Sequence, residues 1–88
     1  EALVASLREA AGQHRWEGVA DAVHSLKSSA RSVGALGLAD RSLALERWGR
    51  EVEKDESLAS ELLNNFEVEW RRVQAALQQV HVYLNERR

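Results

Sequence analysis

With 88 residues and a formal charge of -2, the chain is sized for one small domain with one core, leaves little room for an enzyme with its own deep substrate pocket, and shows no basic excess of the kind nucleic-acid binding needs. It has no cysteine, so a disulfide framework and thiolate chemistry are excluded and a reducing, cytoplasmic setting is the default. No proline and a high content of Ala, Leu, Glu, Arg and Gln read as helix throughout, and no apolar run reaches the roughly 18 residues of a membrane span.

The first segment, residues 1–13, places Leu3, Leu7 and Ala10 at spacings of 4 and 3, which predicts a short helix with one apolar stripe ending near Gly12. A helix so short is marginal alone and has to pack on the rest. Nothing in this segment resembles a signal peptide. The chain begins at Glu1 and contains no methionine, which points to a segment of a longer protein.

A second helix is expected over residues 16–33. Val19, Val23, Leu26, Ala30 and Val33 form a narrow bundle-type stripe. At about 100° per residue, His24 lies about 140° from that stripe, Ser28 about 180°, Arg31 about 120° and Lys27 about 80°. His24 is therefore predicted to face water, with small residues (Ala20, Ser28) and cationic ones (Lys27, Arg31) one or two turns away. His14 and His81 fall in other segments and read as structural or incidental.

Gly34 and Gly37 interrupt the pattern. A third helix then starts near residue 36 or 38 and runs to about residue 52, with Leu38, Ser42, Leu45, Gly49 and Val52 as its stripe and Leu43 and Trp48 widening it. The charged run 51–57 should hold a turn, with Asp55 or Ser57 as N-cap candidates. Leu63, Phe66, Trp70, Val73, Leu77, Val80 and Leu84 keep strict 3 and 4 alternation, so one long helix over residues 56–85 should span about 45 Å. Trp48, Phe66 and Trp70 read as core, while Trp16 either staples the start of the second helix or joins a partner surface. The fold expected is all-α: an antiparallel up-and-down four-helix bundle, three main helices plus a short N-terminal one, filling residues 1–88 as a single domain.

Little chemistry survives inspection. The glycines lack the spacing and the preceding strand of a phosphate loop, there is no His-Glu-x-x-His or Cys/His metal cluster, and a serine triad is unsupported. His24 remains. A free imidazole titrates at about 6.5, so at neutral pH it offers a nitrogen lone pair for nucleophilic attack on phosphorus. Phosphoryl transfer asks mainly for positioning and charge neutralisation, which one exposed histidine beside a lysine could provide if a partner supplied the rest of the site.

His24-Ser-Leu26-Lys27-Ser28, followed by Gly34 and Leu38, resembles the histidine-containing phosphotransfer (HPt) domain pattern His-x-Leu-Lys-Gly, five residues, Gly, three residues, Leu. The departure is Ser28, where glycine is the most usual residue. The Leu45-Glu46 pair and the long final helix resemble the family as well. The resemblance implies that His24 accepts a phosphoryl group from a receiver-domain aspartate and passes it to another. It implies that Lys27 steadies the phosphoryl oxygens, that Ser28 lines the path to the ring, and that Gly34 turns the chain where the second helix ends. The partners implied are receiver domains of response regulators or of a parent hybrid histidine kinase, in the cytoplasm or on the cytoplasmic side of a membrane-bound sensor. No cofactor and no ATP site are expected on this segment, magnesium belonging to the receiver.

Ala20 and Arg31 join the expected binding surface from the helix angle alone, and docking is expected through an apolar patch around His24, by a monomer touching neither nucleic acid nor membrane. The alternative is a non-catalytic helical interaction or oligomerisation module built on the heptads of the last helix. A histidine-kinase dimerisation domain is disfavoured, because its histidine is normally followed by an acidic residue and Ser25 stands here.

Overall fold

The computed structural model of the protein describes residues 2–86. The apolar spacing is realised as four α-helices, Ala2–Gly12 (α1), Trp16–Ser32 (α2), Leu36–Arg50 (α3) and Ala59–Glu86 (α4), with one 3-10 turn, Glu56–Leu58, leading into the last. Each helix packs on its neighbour in sequence, α1 on α2, α2 on α3 and α3 on α4. The ring closes between α1 and α4 through a side-chain pair, the Arg8 guanidinium donating from Nε and Nη2 to the two Glu67 carboxylate oxygens at 2.9 and 2.8 Å. The chain is thus an all-α helical bundle.

The stops follow from backbone chemistry. At the end of α2, Gly34 takes φ +77°, its N–H bonds the Arg31 carbonyl, and the Ala35 N–H bonds the Ala30 carbonyl at 2.8 Å, the two-bond cap that ends helices in a left-handed residue. The same cap ends α1, but His14 and not a glycine occupies the left-handed position, at φ 55°, with Arg15 N–H on the Ala10 carbonyl at 2.8 Å. Gly12 itself is the last helical residue and does not make the stop. Asp55 caps the 3-10 turn by accepting the Ser57 N–H at 3.0 Å. Trp48 Nε1 donates to the Asp55 carbonyl and Trp16 Nε1 to Glu56 Oε1, so two indoles pin the 51–58 connection to the bundle. Trp16 also stacks on His14 and meets Trp48 edge-on, which settles it as a staple at the start of α2.

The core follows the predicted stripes with their ends trimmed and two changes: in α1 Val4 is buried in place of the expected Leu3, and Trp70 is only partly covered, as is Leu3. Val4, Leu7, Ala10, Val19, Val23, Leu26, Ala30, Leu38, Leu45, Trp48 and Phe66 are buried. Val33 and Val52 are not, at 73% and 99% exposed, because both helices stop before reaching them. The larger correction concerns α4. Its 28 residues extend about 42 Å, whereas the 11 of α1 reach only about 16 Å. Past the half-buried Val73 the neighbours thin out to the α2–α3 turn beside Leu77, and Leu77, Val80 and Leu84 are 59%, 54% and 58% exposed. The last three positions of the predicted apolar stripe therefore lie outside the core.

Candidate functional site

The site depends on how closely α2 and α3 approach. Gly49 of α3 is buried against the first half of α2, where a methyl group would come within 2.9 Å of the Trp16 carbonyl oxygen and 3.1 Å of Ala20 Cβ. Ala20 is fully buried in this contact, so its small side chain serves the helix pair and is not part of the exposed surface beside His24. With the backbones this close, a side chain of α3 can reach under one of α2.

That side chain is Glu46. Its Oε2 lies 2.7 Å from His24 Nδ1, and its Oε1 accepts from Lys27 Nζ at 2.6 Å. The carboxylate is almost covered, its side chain 11% exposed, as is Lys27 at 12%, while His24 keeps 58% of its side chain in solvent. The hydrogen bond from the Lys27 ammonium holds the Glu46 carboxyl below its ordinary range; burial pushes the other way, and His24 adds to the lowering. Glu46 is consequently ionised at neutral pH and can only accept. The His24 proton must then sit on Nδ1, which leaves Nε2 of the neutral ring with its lone pair free.

Arg50, one turn further along α3, ties the arrangement to α2. Its Nη1 bonds Glu17 Oε1 at 2.7 Å, its Nη2 bonds Asp21 Oδ1 at 3.1 Å, and its Nε is 3.7 Å from the Glu46 oxygen that faces His24. Ser28 is exposed one turn beyond His24, and its hydroxyl turns back on the His24 carbonyl at 3.4 Å. Arg31 is exposed two turns beyond the histidine, and Gly34 sits in the helix stop, so neither joins the Glu46 cluster. On α2 no large exposed hydrophobic residue lies within a turn of His24, where its neighbours are Asp21, Ser25 and Ser28, and the Arg50 fork reaches Asp21 from α3. His14 and His81 are remote from it, His14 in the α1 stop and His81 bonded to Asn85 at 3.1 Å. Among the described residues no group of three or more His, Cys, Asp or Glu side chains could hold a metal ion.

Sequence reasoning gave Glu46 no role, although a signal was there. Glu46 follows Ser42 by four residues and stands next to Leu45, which places an acid on the buried face of α3. A carboxylate in that position has to find a cation or change its charge.

A bundle that presents one oriented imidazole on a helix surface defines a class of small helical proteins that offer a histidine to a partner in place of enclosing a substrate. The Hpt domain model matches residues 1–82, and the chain belongs to that family. Hpt domains act in phosphorelay histidine phosphotransfer in two-component signal transduction and interact with receiver domains. No helix of the described residues is long and apolar enough to cross a membrane. A comparison with curated proteins and one with solved structures each gave no match.

Proposed function

We propose that His24 is the phosphoacceptor, taking the phosphoryl group from the aspartyl phosphate of one receiver domain and returning it to the aspartate of another. The Nε2 lone pair attacks phosphorus, the bond from phosphorus to the aspartate oxygen breaks, and the carboxylate leaves with the electron pair. Reversal on a second receiver restores the free ring. The single observation that carries this reading is the 2.7 Å contact between Nδ1 and Glu46, which fixes the ring and its proton while leaving the other nitrogen exposed.

Phosphohistidine formation puts positive charge on the ring, and an ionised carboxylate on Nδ1–H stabilises it. Lys27 spends one of its three N–H donors on Glu46, so its charge stands beside the site with donors to spare for phosphoryl oxygens. Ser28, one turn beyond, keeps the approach low for the partner. The acidic pocket and magnesium belong to the receiver in this scheme.

The test is incubation with a phosphorylated receiver, reading acid-labile, base-stable phosphate on this chain, with His24→Gln as control. Label that appears on the natural chain and not on the variant is the expected result. Equal labelling of both, or transfer to neither from every receiver tried, would overturn the assignment.

A further inference from the structure

The free half of α4 is unusual for a chain in which 30% of residues are charged. Residues 73–85 contain no Asp, Glu, Lys or Arg, although the helix there stands in solvent. Its stripe, Val73, Leu77, Val80 and Leu84, keeps the 4, 3, 4 spacing of a coiled-coil seam, and the positions flanking it, Gln74, Ala76, His81 and Tyr83, are uncharged too. The stripe leads without a break into an open apolar groove of about 280 Å³ lined by Leu26, Val33, Leu38, Trp70, Val73 and Leu77. Val33, at 73% exposed, and Ala35 extend the same apolar surface onto the α2–α3 turn.

We propose that this surface is where two copies of the chain associate, their α4 helices antiparallel about a two-fold axis passing near Gln78 and Gln79, in place of the monomer expected from the sequence. In that register Leu77 of one copy layers with Val80 of its partner, and Leu84 with Val73 at the mouth of the groove. Three things select a second copy over a different protein. The seam is its own complement under a two-fold axis, since the same row faces itself. A surface without charges offers a charged partner nothing to recognise, and it lets two chains of charge -2 meet where neither repels the other. The patch also counts twice: a few hundred Å² on each copy brings the total near the roughly 1,000 Å² that specific interfaces need. An interface at that lower limit gives a reversible dimer. His24 faces α3 in the middle of α2, away from this overhang, so both histidines stay open in the pair.

Sedimentation equilibrium of the chain across the micromolar to millimolar range should show the mass rising from 9.9 kDa towards twice that value. Leu77→Glu and Val80→Lys should each hold it at the monomer mass with an unchanged melting temperature, because both side chains are already exposed. A mass constant at 9.9 kDa over the whole range overturns the proposal. Since the chain has no cysteine, the register can be read directly. Mixed L77C and V80C chains should form the mixed disulfide in preference to either homodimer, whereas dominant L77C homodimer would mean a parallel pair and reject the arrangement. Receiver labelling of Leu77→Glu at the level of the natural chain keeps this question separate from that of His24.

Discussion

His24 and Glu46 stand on different helices, 22 residues apart in sequence, with Nδ1 and Oε2 2.7 Å from each other. Glu46 is thereby as much a part of the site as the histidine. Glu46→Gln keeps the size and an acceptor for Nδ1–H but removes the charge that stabilises a phosphorylated ring. Transfer to His24 should slow about 10- to 100-fold, the equivalent of the roughly 1.5–3 kcal/mol of a hydrogen bond to a charged group. Rapid-quench measurement of receiver dephosphorylation reads this directly, and an unchanged rate would make Glu46 a purely structural acid.

Acid should loosen the same cluster in a defined window. The Glu46 carboxyl is held low first by Lys27, and that of Glu67 first by Arg8, each against an opposing effect of burial. A carboxyl lowered on folding contributes its full stability above its unfolded value, 4.5 here, and loses it as pH falls through the lower folded value. Melting temperature should therefore hold steady near neutrality and decline between about pH 5 and pH 3. In Lys27→Ala the main cause of lowering at Glu46 is gone, so the side-chain carbon of Glu46, followed by NMR, should titrate at higher pH than in the natural chain. Coincident titrations would show that the lysine does not set the charge of the acid. The same variant should slow phosphoryl transfer while the bundle stays folded at neutral pH.

Gly49→Ala tests whether helix approach is what sets the site. The new methyl would meet the Trp16 carbonyl at 2.9 Å, a backbone atom that cannot swing away. Overpacking of about 1–3 kcal/mol, less about 1 kcal/mol gained from replacing glycine within a helix, leaves a net loss of up to about 2 kcal/mol, or as much as roughly 15 °C in Tm. Transfer should fall as well, because α2 and α3 part where Glu46 has to reach His24. A stabilised variant with normal transfer would mean the helix pair can open at no cost.

Ser42 is fully buried on α3, and its hydroxyl has no hydrogen-bond partner among the described residues. Burying a hydroxyl without a partner costs about 1–3 kcal/mol, so Ser42→Ala should raise stability, by about 1 kcal/mol once the small loss of packing is counted. Chemical denaturation measures it, and a clear loss of stability would show that the oxygen has a partner in solution.

How much of this was open to sequence reading depends on the range of the interaction involved. Helical periodicity is local, so Val19, Val23 and Leu26 oriented α2 and turned His24 outward before any tertiary contact was known. Periodicity does not say whether a partner lies opposite, and Leu77, Val80 and Leu84 continue a stripe that the bundle never covers. The Lys27–Glu46–His24 cluster was hidden for a related reason. It joins two helices, and its existence depends on a backbone approach that the sequence signals only through Ala20 and Gly49.

The two matching helix stops permit a comparison within one molecule. Gly34 at φ +77° pays no side-chain penalty, while His14 at φ 55° holds a left-handed conformation that costs most residues about 1–2 kcal/mol. What offsets it is visible: the His14 ring stacks on Trp16, centroids 5.1 Å apart and planes 23° from parallel. Gly34→Ala has open space around the new methyl, so its cost is conformational alone and should be about 1–2 kcal/mol. His14→Gly relieves the backbone but gives up the stack, and the two should cancel to within about 0.5 kcal/mol. His14→Ala loses the stack and keeps the backbone cost, so it should be the most destabilising change at that position. Urea denaturation of the three variants orders them, and a His14→Ala chain as stable as His14→Gly would mean that the left-handed backbone angle carries no cost at the α1 stop.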